Sequence, residues 1–530
     1  MGAVPLVAGK DGVLRVFVRG NQAGITAPSV RLRTYSGASL TGTQIIAPTL
    51  ATVPTGVSEA SLSQSWNYPL PGASIQPGLG LLLDVDPANA IAEADETNNF
   101  WPPSGTPMAM DVRALQTFHG TLIPVTQSAL TGNATSGNLA SWYAKFQKMY
   151  PIAPSMDVVL GAPYTTSQVL VNGGGGWSDL LKELEAKRVV EASSRYYYGA
   201  LKVSYVSGVA GLGYVPSTGS SSPRSAMGWD KTTGYADGGL FFDVLTHETG
   251  HNMGRAHSPC GGASQPDPAY PYTGALIGIY GLDVAAMTLK DPAYYTDIMA
   301  YCTPVWVSDY VYNSILNFRQ ASPYGIAPPN PPVASGQAVS TGVQDCLLIS
   351  GRIHNGNAEL DPALEVRTVP TTLGRKISHG SRVIEGRDAS GSLLFQRSLP
   401  LAQVADDIPG SQIQHFIAAI PVKDFSMKAL NELRVLGGSG PEAVRWSSNS
   451  LPLNSGAVQL PQAKVFGEGE VRLTWDAAVH PLVMVRDAIT GEVLSFARGG
   501  DMVIKTPAKQ LELTLSSGVT SEKMVLNILD

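Results

Sequence analysis

One stretch constrains this chain more than any other: Leu245-Thr246-His247-Glu248-Thr249-Gly250-His251-Asn252-Met253-Gly254-Arg255-Ala256-His257. His247 and His251 are four residues apart, so on a helix both imidazoles project from one face toward a single point. Glu248 follows the first histidine, on the side where a water held at that point would sit. Gly254 is where such a helix must stop, because a left-handed turn costs glycine little. The turn swings His257 back and brings a third nitrogen to the same place. Three neutral imidazoles with one open position make a zinc site of the catalytic kind, whereas structural zinc sites are closed by four protein ligands. Coincidence explains this poorly, since three of the chain's eight histidines fall in the one segment. His119, His354, His379, His415 and His480 stand apart from one another and read as surface or packed residues.

Around that helix the chain divides by composition. Its 530 residues exceed a single domain, and its 44% hydrophobic content excludes disorder. A net charge of −6 argues against nucleic acid as a partner, which needs a concentrated basic face. No apolar run is long enough to span a membrane. Residues 1–112 carry short alternating strands near 13–18, 30–34 and 80–85 with turn residues between them, the pattern of an Ig-like β-sandwich. Within it, the acidic stretch from Asp84 to Asn99 reads as a solvated turn whose carboxylates could hold Ca²⁺. Residues 113–325 alternate strands (117–125, 156–160, 201–206) with helices near 138–149, 178–191 and from 239, an α/β domain with a mixed sheet. The second helix should bury Leu180, Leu181 and Leu184 on one face. A linker with Pro323, Pro328, Pro329, Pro331 and Pro332 follows. Residues 335–450 and 455–530 then return to alternation, each the size of one β-sandwich. The expected fold class is therefore multi-domain, an α/β catalytic domain flanked by Ig-like β-sandwich domains.

The 247–257 segment resembles the zinc-binding consensus of the metzincin metallopeptidases. Asp297-Ile298-Met299-Ala300-Tyr301-Cys302 resembles the methionine turn of that clan. The resemblance implies that Met299 forms a hydrophobic floor beneath the three histidines. It also implies that Tyr301, two residues on, approaches the metal as in the astacin-like and serralysin-like branches. Glu248 and Tyr301 are then the catalytic residues, His247, His251 and His257 the zinc ligands, and Gly254 and Met299 structural. The surroundings of both motifs resemble secreted bacterial metzincins with accessory β-domains, of the StcE/TagA-like mucin-directed build. Gly211-Leu212-Gly213-Tyr214-Val215 lies where metzincins place an exposed edge strand, so Gly213 and Tyr214 are expected to pair with a substrate backbone. Trp306 and Tyr310 would wall a substrate pocket. Because the two motifs must converge under one metal, Cys260 and Cys302 are expected to form a disulfide, leaving Cys346 free.

These readings lead to a zinc endopeptidase acting on proteins or O-glycoproteins, with Glu248 as general base toward a water activated by the metal. It is expected to be a secreted monomer with glycan contacts through its β-domains. The opening residues 1–10 carry no leader and run straight into a strand, as expected of a chain cut from a longer precursor. A rival reading makes the β-domains an adhesion or glycan-binding protein with a vestigial peptidase. The intact glutamate and histidines weigh against it.

Overall fold

The computed structural model describes residues 4–529 except 94, 207, 217–222, 234–238, 322–341, 372, 374–381, 406–412, 438–442 and 448–459. The proline-rich linker, His379 and the joint between the two C-terminal strand sets lie outside the described residues. The chain forms two compact units, one of residues 1–118, 147–156 and 257–321, the other of 119–146, 157–256 and 322–530. The fold is multi-domain and rich in sheet, with four α-helices among the described residues: α1 Leu139–Met149, α2 Trp177–Val190, α3 Phe241–Asn252 and α4 Asp309–Ala321.

In the first unit, residues 1–112 form a five-stranded sheet in which Val30–Ser36 lies between Ser39–Ile46 and Leu79–Val85, and a separate pair of Gly12–Val16 with Trp66–Leu70. Alternation puts Val30, Leu32, Leu81 and Leu83 inward around Trp66, whose indole N–H donates to the Pro28 carbonyl at 2.8 Å. The acidic stretch is used internally. Asp84 accepts from Arg31 and Arg33, and Asp86 from the Ile91 N–H. Helix α4 begins where Ser308 caps it, its hydroxyl accepting the Val311 N–H at 3.1 Å.

The second unit is built on one twelve-stranded sheet. Its strands are β1 Phe118–Gln127, β2 Leu130–Thr131, β3 Met156–Leu160, β4 Tyr164–Thr166, β5 Tyr196–Leu201, β6 Gly211–Val215, β7 Ser225–Trp229, β8 Gln344–His354, β9 Asn357–Leu360, β10 Leu364–Thr368, β11 Ala402–Val404 and β12 Ile413–Pro421. They run in the order β2-β1-β5-β7-β6-β11-β12-β8-β9, with β3 and β4 on β1 and β10 on β8. The α/β domain and the strand set of residues 335–450, expected as separate bodies, therefore share a sheet across the β6–β11 ladder. The strand expected at 201–206 sits instead at Tyr196–Leu201. All six of its residues are buried, because a parallel strand covered on both faces does not alternate. Beyond the shared sheet, Val383–Arg387, Leu393–Ser398, Glu432–Leu436 and Ala443–Trp446 form a four-stranded sheet that closes one core. Residues 462–527 make a three-stranded and a four-stranded sheet around another.

Helix α2 departs from its expected single apolar face. Leu180, Leu181 and Leu184 are buried, and so are Lys182, Glu183, Glu185, Lys187 and Arg188. The apolar side joins a core with β6 and β7, while the charged side is covered by the C-terminal strands. Burial of these charges is tolerable only because each is paired with an opposite charge or fully hydrogen-bonded. Lys182 meets Asp361 at 2.9 Å, and Glu183 accepts from Tyr164, Thr166 and Gln168 at 2.8 Å each. Glu185 accepts from Arg188 and Ser225, and Lys187 from α2 reaches Glu191 and the Val493 carbonyl at 2.7 Å.

Candidate metal centre

Helix α3 is seated on strands β6 and β7 by an absence of side chains. A Cβ at Gly211 would lie 2.6 Å from Glu248 Oε1, one at Gly213 2.8 Å from the Glu248 backbone oxygen, and one at Gly228 2.5 Å from Val244 Cγ1. Glycine at alternate strand positions lets the helix backbone come this close. Asn252 at the helix end fastens the seat, its side-chain amide donating to the carbonyls of Tyr214 and Ser225 at 3.0 Å each. Gly213 was expected as a substrate contact and not as a seat for the helix, and neither Gly228 nor Asn252 figured among the expected site residues. The legible signal was the alternation of Gly211 and Gly213 next to a third glycine at 228.

The helix ends as expected. Gly254 has φ +77°, its N–H donates to the His251 carbonyl at 2.8 Å, and the Arg255 N–H returns to the Gly250 carbonyl at 3.2 Å. The three buried histidines His247, His251 and His257 offer ligand nitrogens that all lie within 4.8 Å of one another, and the Nε2 atoms of His247 and His251 are 3.1 Å apart. Two nitrogens on a tetrahedral zinc at its usual bond length stand about 3.3 Å apart. The outer nitrogens are also occupied in the way a ligand needs. The His251 Nδ1–H donates to the Arg255 carbonyl at 2.6 Å and the His257 Nδ1–H to the Ser264 carbonyl, so each presents Nε2 inward. The donor set fits zinc. Among the described residues no other group of three such side chains could hold a metal, and Ca²⁺ at the Asp84–Asn99 stretch finds no support.

Glu248 is buried beside His247, below Gly211 and Gly213. Tyr198 shares this interior, and its phenol is pushed well above the usual range, first by burial and then by the Glu248 charge. In the other unit, Met299 is buried, its carbonyl accepts the Ser258 N–H at 3.0 Å, and its sulfur accepts the Tyr150 hydroxyl at 3.4 Å. Asp297 fixes this turn by accepting from Met299 N–H, Ser308 N–H and the Ser258 hydroxyl. Burial pushes its carboxyl up, against the pull of those hydrogen bonds. Tyr301 is 45% exposed, with its ring centroid 5.1 Å from that of His257 in an edge-on arrangement. Cys260 and Cys302 are joined in a disulfide with Cα atoms 5.7 Å apart. Cys346 is a buried free thiol, which burial pushes up to about 11.

Four residues expected to contact substrate are placed otherwise. Tyr214 is fully buried, with its hydroxyl 2.7 Å from His415 Nδ1, because Tyr214 alternates away from Glu248 into the α2 core. Gly213 does not lie on an open edge, since its carbonyl accepts the Ala405 N–H at 2.8 Å. Trp306 is 7% exposed, packed against Gly281 with Lys290 over its ring. Tyr310 belongs to α4 and donates to Asp267 at 2.8 Å.

A sequence-family model described as metallo-peptidase family M12B, reprolysin-like, matches residues 184–258, from the second half of α2 through the third histidine. The match and the triad together support a metzincin-like zinc peptidase. No curated protein matches the chain. Among solved structures, the FN1–FN3 domains of chicken CNTN1 are similar at 12% identity over 36% of this chain, with a TM-score of 0.10. The alignment spans 65% of that structure's own length, and a likeness so slight carries no argument. Among the described residues no helix is long and apolar enough to cross a membrane.

Proposed function

We propose that this chain is a secreted zinc-dependent endopeptidase that hydrolyses peptide bonds in proteins or O-glycoproteins, of the bacterial StcE/TagA-like build. The observation that carries the reading is the three-histidine cluster with Glu248 beside it and the outer nitrogens of His251 and His257 held by backbone carbonyls. When bound, zinc would polarise the peptide carbonyl and acidify a water. Glu248 takes the proton from that water and passes it to the leaving amine, and its burial keeps the carboxylate aimed and shielded from bulk solvent. Tyr301, half exposed beside His257, donates a hydrogen bond to the carbonyl oxygen as that oxygen gains charge. Met299 and Asp297 keep the turn under His257 fixed. The disulfide suits an oxidising compartment, which supports export.

The test is cleavage of an unstructured protein and an O-glycosylated protein side by side. The reading expects new peptide termini, loss of cleavage with a chelator and its return with zinc. Retention of either protein on the chain without any cut, zinc being present, would overturn it in favour of the adhesion reading.

A further inference from the structure

The strand over the glutamate has a neighbour already. Strand β6 pairs with β7 through Gly211–Gly213, and on its other side Tyr214 and Val215 pair antiparallel with Val404 and Gln403 of β11. The Ala405 N–H closes that ladder on the Gly213 carbonyl. The neighbour is built in, not laid on. β11 pairs in turn with β12, Val404 is 1% exposed, and the buried Tyr214–His415 hydrogen bond ties β6 directly to β12.

Glu248 marks where along β6 a bond would be cut. Its carboxylate lies against Gly211 and Gly213. The strand that does pair on this side runs antiparallel, so a peptide added to the same side in that direction advances toward its own amino end as β6 runs from Gly211 to Val215. The amino-side part of such a peptide would need the edge of Tyr214 and Val215, which β11 holds. We propose, resting on the peptidase reading above, that β11 is a built-in stop that determines specificity. Backbone recognition on the amino side of the cleaved bond ends after about two residues, the span left before the β11 ladder at the strand repeat of about 3.3 Å. Selectivity must then come from the carboxyl side of the bond and from side chains.

The experiment uses the full chain, its zinc content verified, and peptides sharing one cleaved bond but lengthened residue by residue on the amino side. The stop predicts that kcat/KM rises over the first two residues and then stays within about twofold. Ala405→Pro, which removes the N–H that closes the ladder, should restore a gain of fivefold or more from the third and fourth residues. Amide exchange at Ala405 in the wild type provides a readout that needs no variant. Its protection should be unchanged when product peptide saturates the protein. A wild-type gain of fivefold or more from the third and fourth residues, or loss of Ala405 protection on adding peptide, overturns the stop and leaves the peptidase reading standing. Failure of the zinc-loaded chain to cut any peptide overturns both.

Discussion

Replacing Gly213 by alanine should unseat the zinc helix without touching a ligand. The new Cβ would stand 2.8 Å from the Glu248 backbone oxygen, and ordinary contact begins at 3.4 Å. Backbone cannot rotate out of the way, so helix and strand must separate by about 0.6 Å, in a place where Asn252 pins them through two 3.0 Å hydrogen bonds. Overpacking of this kind costs ~1–3 kcal/mol. The same shift drags His247 and His251 relative to His257, so zinc affinity should fall by about tenfold or more, or ~1.4 kcal/mol. Gly211→Ala is the contrasting case. The three atoms nearest its Cβ are in side chains, Glu248 Oε1 and Cγ and Val244 Cγ1, which can turn aside. That variant should lose less stability and keep its zinc, but it should lose kcat because Glu248 is displaced. Urea denaturation with a chelator-competition titration measures both quantities. If Gly213→Ala stays within about 0.5 kcal/mol of wild type and binds zinc within twofold, the helix is not seated as described.

Other consequences follow from the surrounding structure. Burial raises the Asp361 carboxyl, but Lys182 and Arg498 outweigh it and hold the group well below the usual carboxylate range. A depressed carboxylate contributes stability above its unfolded value near ~3.9 and loses it as pH falls. Asp361→Asn should therefore cost about 3–5 kcal/mol at neutral pH in urea denaturation, and the gap to wild type should close below about pH 4. Tyr301→Phe should lower kcat by ~10²–10³ with unchanged zinc content if its hydroxyl serves the oxyanion, and a change under about twofold would reduce Tyr301 to packing. Thiol titration of the denatured, unreduced chain should count Cys346 alone. Opening the Cys260–Cys302 link should cost ~3–4 kcal/mol on the loop-entropy account.

What the sequence made legible was local. The end of α3 follows from Gly254 and from helical spacing of the histidines, and the stretches read as alternating, 335–450 and 455–530, are rich in strands among their described residues. Tyr196–Leu201 was displaced because its Tyr-Tyr-Tyr run has no alternation to read, being buried on both faces. Helix α4 went unread although Ser308 and Asp309 carried a capping signal, since Trp306 and Tyr310 were interpreted as pocket residues. The β6–β11 ladder was beyond the sequence altogether. Pairing of strands so far apart depends on which edges meet, and nothing in Gly211–Val215 specifies Val404. Helix α2 misled for the same reason, because its charged face finds Asp361 and Val493 only once the C-terminal strands are in place.

The central claim is that three histidines hold a zinc ion and Glu248 moves the proton. Glu248→Gln removes the base while leaving every ligand nitrogen and the helix packing in place. Metal content by mass spectrometry, read beside turnover of a cleaved protein substrate, decides it. The account predicts one zinc per chain in both proteins and a fall in turnover of ~10²-fold or more in the variant. Near wild-type turnover with zinc bound, or a wild-type chain that binds no zinc, would contradict it.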